Sequence, residues 1–218
     1  MTKRLVVLAT AIMLLGTMAV ADVIHFSFVS APDNQLKVAA SQSGLNAGPG
    51  LNLLATDTTT GKAIAFPATV MLNTGEASTF VIQSNIVIAT FDSGGPNSLT
   101  LVDPTTLAPL LQGTMQNDAT LVATHPGGTG GFLGGFDITF VSPTILADFG
   151  LVSVDPRGAV SITFSNDTLV GRTLDGSGGG GTVTITGLAS TVPEPSSLLL
   201  FGGAGLMLAG FLKLRQTS

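Results

Sequence analysis

Gly176-Ser177-Gly178-Gly179-Gly180-Gly181 spells G-x-G-x-x-G, the spacing that cradles a pyrophosphate when a strand precedes it and a helix N-terminus follows. Here Thr182-Val183-Thr184-Ile185-Thr186 follows, an alternating strand-like run, so the segment reads as a glycine turn and not as a nucleotide site. His25 and His125 are the two imidazoles available for acid–base work. No Gly-x-Ser-x-Gly elbow accompanies them, and two isolated histidines without cysteine fall short of a zinc ligand set. Asp92, Asn97 and Asp103 flank one turn, and Asn166, Asp167 and Asp175 surround another. Such oxygens suit calcium, but Asx side chains at turns more often bond their own backbone. Gly127-Gly128-Thr129-Gly130 begins like a calcium-binding nonapeptide and then has Phe132 where an Asp is needed. The acidic residues offer too many pairings to single out two facing carboxylates for glycoside hydrolysis. With Trp and Tyr absent, stacking on a sugar ring would fall to Phe91 or Phe132. No catalytic residue, no metal site and no cofactor is expected, and the chain is read as a non-enzyme.

The segment with the clearest chemical order is 192–218. Val192-Pro193-Glu194-Pro195-Ser196 opens it, with two prolines that fix φ and remove amide donors, so it should be extended. Ser196 can cap the apolar helix expected over residues 197–212. Sixteen residues make about 24 Å of helix at ~1.5 Å each, short of a hydrocarbon core of roughly 30 Å. Lys213 and Arg215 follow as a basic cap, marking the cytoplasmic side. This order resembles the PEP-CTERM sorting signal of bacterial exported proteins, carried here by Pro193-Glu194-Pro195, the apolar run and Lys213 with Arg215. The resemblance covers about the last tenth of the chain. It implies an exosortase-type membrane enzyme as partner, transient anchoring through the C-terminal helix, removal of the tail, and delivery to the cell surface or an extracellular polysaccharide matrix.

The N-terminus agrees. Lys3 and Arg4 precede an apolar stretch that ends Ala19-Val20-Ala21, so a signal peptide over 1–21 is expected, cut by signal peptidase before Asp22. Between the two signals lie about 170 residues, enough for one domain with its own core. There Lys37, Lys62, Arg157 and Arg172 stand against twelve acidic residues, a net charge of −8. A basic surface for phosphate is missing, so nucleic acid is excluded as a partner. Cysteine is absent from the whole chain, which rules out disulfides and thiol chemistry.

What must position any site is a β framework. Thr and Gly are abundant while Lys and Glu are scarce, which favours strands over exposed helices. Val23–Ser30 alternates, with Ile24, Phe26 and Phe28 on one face. Ala31–Gly50 reads as loop with one short strand near Leu36–Ala40. Leu51–Thr56 and Ala63–Leu72 read as a hairpin, weakened at Pro67. Ser78–Asp92 reads as one continuous strand with Phe80, Ile82, Ile86 and Ile88 together. Residues 105–112 fit a short helix or a loop, and Gly113–Thr124 is extended. His125–Gly135, with six glycines, reads as a flexible loop, followed by a strand over Phe136–Ser142. Leu151–Val154, Ala159–Ser165 and Leu169–Leu174 read as separate strands, Asp175–Gly181 as a second glycine loop, and Thr182–Gly187 as the last strand. The all-β domain over 22–191 is thus expected to be a single β-sandwich or jelly roll between an N-terminal signal helix and a C-terminal hydrophobic helix.

The expected function follows from the two signals: an exported structural or adhesive protein of the surface or matrix. The alternative is a glycan-binding module of the exopolysaccharide matrix, with a secreted hydrolase behind it.

Overall fold

The computed structural model describes residues 21–29, 36–66 and 68–189. The signal-peptide stretch with Ala19, the sorting residues Val192–Ser196, the helix expected over 197–212, Lys213 and Arg215 lie outside them. Residues Ala21–Ala189 form one compact unit. Among the described residues no helix is long and apolar enough to cross a membrane.

Thirteen strands and one short helix are described: β1 (Ala21–Val29), β2 (Lys37–Ser41), β3 (Gly44–Asp57), β4 (Ala63–Phe66), β5 (Thr69–Asn73), β6 (Ala77–Gln83), β7 (Ile86–Phe91), β8 (Leu99–Val102), β9 (Pro109–Met115), β10 (Ala119–Thr124), β11 (Thr129–Val141), α1 (Pro143–Phe149), β12 (Leu151–Val170) and β13 (Thr173–Ala189). The all-β expectation holds. The sandwich or jelly roll does not. Strands β2-β3-β5-β8-β9-β11-β12-β13 pair antiparallel in turn, and β13 pairs back onto β2, so eight strands close a barrel. Closure removes the edges that two stacked sheets would leave. β1 continues the slot of β2 between β13 and β3, and β4 pairs with β3. A second branch leaves the barrel at β11 as β10, β7 and β6.

The strands read from alternation are present where the alternation is strict. Ile24, Phe26 and Phe28 of β1 are buried, as are Val183 and Ile185 of β13. The β3–β4 hairpin pairs Leu53 with Phe66 and Thr56 with Ala63. Elsewhere punctuation misleads. Residues 78–92 are not one strand but the β6–β7 hairpin, turned at Ser84-Asn85 with Ser84 at φ 53°. Ile86 and Ile88 therefore face outward while Val87, Ala89 and Phe91 are buried. Asp155-Pro156-Arg157 and Ser165-Asn166-Asp167 are not breaks. They are irregularities in the pairing of one continuous β12 with β13, and the chain turns only at Gly171-Arg172. The ambiguous 105–112 stretch becomes a turn followed by β9. The part of 31–50 read as loop contains the first half of β3, beside the short strand foreseen at β2.

Both glycine loops are strand for most of their length, a turn remaining only at residues 125–127. Residues 129–135 belong to β11 and residues 175–181 to β13. The missing β-carbons are what phenylalanine rings occupy. The ring of Phe164 lies over its cross-strand partner Gly130 and over Gly176, where added β-carbons would come within 2.0 and 2.2 Å of it. Phe136 fills the same role over Gly113 and Gly158, at 2.4 and 2.3 Å. An aromatic ring laid across a strand glycine restores the burial that glycine lacks. Gly178 and Gly179, at φ 78° and 80°, form a bulge opposite β12, and a β-carbon on Gly179 would sit 2.1 Å from the Thr163 carbonyl oxygen.

Helix α1 was not foreseen, yet its ends are conventional. The Ser142 hydroxyl accepts from the Ile145 amide, Pro143 opens the first turn, and Gly150 closes the last in the left-handed region. Ile145 and Phe149 anchor it on the core.

Candidate functional site

The residues proposed for chemistry are placed apart. His25 sits mid-strand on β1, its Nδ1 2.9 Å from the Thr184 hydroxyl of β13. His125 follows β10, with its amide donating to the Asn85 carbonyl and its Nε2 without a hydrogen-bond partner. Among the described residues neither imidazole is hydrogen-bonded to a carboxylate. Phe91 and Phe132, named for sugar stacking, are core residues, packed against each other at 6.4 Å between centroids. That expectation is corrected: alternation turns both inward, on β7 and β11. Gly176–Gly181 runs as strand into Thr182, with no helix after it.

The Asx residues act on turns. Asp103 accepts the amides of Thr105 and Thr106 at 2.8 and 3.3 Å, and these bonds hold its carboxyl below the ordinary carboxylate range. The Asn97 side-chain oxygen accepts from the Thr139 hydroxyl. Among the described residues no group of three or more His, Asp or Glu side chains could hold a metal ion.

Asp57 is the most elaborated carboxylate. It ends β3 with 1% exposure and gathers the Thr60 hydroxyl at 2.5 Å and the amides of Thr59 and Thr60 at 2.8 and 3.3 Å. Burial pushes its carboxyl up. The Thr60 hydroxyl, the Thr59 and Thr60 amides and the Lys62 charge together outweigh burial and hold it below the ordinary value. Lys62 donates to the Asp148 carbonyl near the end of α1 and lies 5.8 Å from the Phe149 ring centroid. The loop also ties down β1, since the Thr58 amide donates to Val23. This is a clasp, not a reaction centre. Asp57→Ala is expected to destabilise the domain by about 1–3 kcal/mol at pH 7, because the carboxylate's hydrogen bonds to the Thr60 hydroxyl and to the Thr59 and Thr60 amides are lost. A depressed folded pKa stabilises above the ordinary carboxylate value and loses that stabilisation as pH falls through the folded one. The gap between wild type and variant in urea midpoints should therefore narrow below about pH 4.

One outward feature escaped the sequence reading. The exposed faces of β2, β3, β5 and the β8 entrance line a shallow concavity of about 710 Å³. Asn46 and Asn73 are cross-strand partners there, joined by Asn97, Thr100, Lys37 and the half-exposed Met71. Carboxamides and hydroxyls over an apolar floor can bond sugar hydroxyls. The signal was alternation at Asn46 and Asn73, which needs the strand register to be seen as one patch.

Ala21 and Asp22, the expected cleavage pair, are the first residues of β1, opposite Leu188 and Gly187. No curated protein and no solved structure matches the chain. The family model for the PEP-CTERM protein-sorting motif matches residues 191–216, which identifies that segment as an export-sorting motif of the kind processed by exosortase-type machinery.

Proposed function

We propose that the protein is a non-enzymatic structural or adhesive component of the cell surface or extracellular matrix, delivered there through its C-terminal motif. The match over residues 191–216 carries this reading. In it, signal peptidase cuts before Asp22, the apolar helix holds the chain in the membrane transiently, and the exosortase-type enzyme removes the tail. The barrel is the delivered cargo. Its side chains pack into one hydrophobic core and its termini of regular structure, Ala21 and Ala189, belong to neighbouring strands. Mass spectrometry of the protein's termini in its native host tests the processing. A species starting at Asp22 and ending near Pro193 is expected, and an intact tail through Ser218 would make the segment a permanent anchor.

The concavity at Asn46, Asn73 and Asn97 supports a second reading, binding of matrix polysaccharide. Titration with neutral and acidic polysaccharides should then give saturable binding weakened at least tenfold by Asn73→Ala, the loss of a bonded carboxamide being worth about 1.4 kcal/mol or more. Binding no stronger than nonspecific background would remove it.

A further inference from the structure

The branch that leaves the barrel ends in an open edge. β6 is the last strand of the β10-β7-β6 extension, and over Ser78–Gln83 it has no strand partner on its outer side among the described residues. Alternate N–H and C=O groups of an edge strand point away from its neighbour, ready to template another strand. Proteins usually guard such an edge with Lys, Glu, Pro or a bulge. β6 reads Ala-Ser-Thr-Phe-Val-Ile-Gln, without charge, Pro or Gly, and its one irregularity is a register shift at its beginning, between Ala77 and Thr79.

The face beside this edge is unusual for the chain. Val81, Ile88 and Val122 are successive cross-strand neighbours on β6, β7 and β10, exposed at 37, 43 and 52%. Ile86 and Leu133 lie in the rows to either side, Ile86 opposite Thr124 and Leu133 opposite Thr120, and Thr90 takes another outward position. No Asp, Glu, Lys or Arg occurs in residues 77–91 or 119–135, although the region between the two signals carries a net charge of −8. A like-charged copy is repelled by an acidic surface and meets no such repulsion here. A neutral, apolar face beside a free edge can meet its own copy about a two-fold axis.

We propose that β6 pairs antiparallel with β6 of a second copy of this chain, joining two β10-β7-β6 branches into one continuous sheet across the dimer. The inference goes beyond the sorting reading and stands without it, because it uses only residues of the barrel and its branch. Where both hold, homotypic pairing gives the delivered protein a means of cohesion.

The chain has no cysteine, so a single introduced thiol reports on proximity. Directly opposed residues of antiparallel strands have Cα atoms about 4.5–5.5 Å apart, within disulfide reach. In the full-length protein expressed in its host, Ser78→Cys, Thr79→Cys, Phe80→Cys, Val81→Cys, Ile82→Cys and Gln83→Cys are each oxidised and run without reductant. Residues on the two-fold axis face themselves, so dimer should peak at one or two of these positions. Val170→Cys, at 71% exposure on β12, should remain monomeric. Adding Val81→Lys to the best cross-linking variant that leaves position 81 free, or Ile88→Lys where position 81 is the thiol, should reduce dimer at least tenfold. Cross-linking on β6 no higher than at Val170→Cys would overturn the proposal, as would dimer indifferent to the introduced lysine. A failure of tail processing would leave both outcomes readable, so the two readings fail separately.

Discussion

Gly130→Val is expected to destabilise the domain by about 4 kcal/mol, a large part of the margin of a typical fold, and Gly131→Val by less than about 1 kcal/mol. The two glycines are adjacent on β11 and differ only in what lies over them. A β-carbon at Gly130 would stand 2.0 Å from the Phe164 ring, and the ring cannot retreat because Gly176 lies against it at 2.2 Å by the same measure. Phe164 is 2% exposed. The valine must therefore expel the ring, forfeiting its burial as a Phe→Ala change would, a loss of about 3–5 kcal/mol. At Gly131 a β-carbon meets nothing nearer than the Ile162 carbonyl oxygen at 4.0 Å, and a β-branched residue suits an outward strand position. Urea midpoints with unchanged slope measure both. Phe164→Ala in the Gly130→Val background should restore part of the loss, since the two share one space. Equal effects at 130 and 131 would sink the account of these glycines as ring seats.

Replacing Pro193-Glu194-Pro195 by three alanines is expected to lower the tail-processed fraction at least tenfold. Each proline enforces extended backbone and disfavours helix by about 3 kcal/mol relative to alanine. Without them, the three substituted positions can be absorbed into the helix expected over 197–212, and the segment would no longer be presented as an extended peptide. Glu194→Gln alone separates the two contributions of the triplet. A large fall with glutamine assigns recognition to the carboxylate, and a small one assigns it to the stiff backbone. The terminal masses described above are the readout, and unchanged processing of the triple variant would refute the sorting reading.

The sequence was legible where order along the chain is itself the information. The tail is such a case, because a proline triplet, an apolar run and a basic cap are read in line, and the family match falls on the same residues. β1 and the end of β13 were legible for a related reason: strict alternation at Ile24, Phe26, Phe28, Val183 and Ile185 survives burial unchanged. Glycine was misread because its usual meaning, freedom, is local, whereas its use at Gly130 and Gly176 depends on Phe164 from a strand far away in sequence. Asp155-Pro156 carries turn chemistry that the structure spends on an irregularity within β12, a use decided by β13. Ser84-Asn85 lacks the usual glycine of a two-residue hairpin turn, so β6 and β7 looked like one strand. Barrel closure rests on β13 meeting β2, a pairing no turn signal encodes. The Asn46–Asn73 patch was hidden for the same reason, since it exists only once β3 and β5 are in register.

The position of β13 has a mechanical consequence. It is the strand that leads to the sorting motif in sequence, and it is hydrogen-bonded along both edges, to β12 on one side and to β1 and β2 on the other. A load applied at Ala189 along the strand therefore acts in shear on two ladders at once, where many bonds must yield together. Had the chain ended on β6, the same load could have peeled an edge strand away one bond at a time.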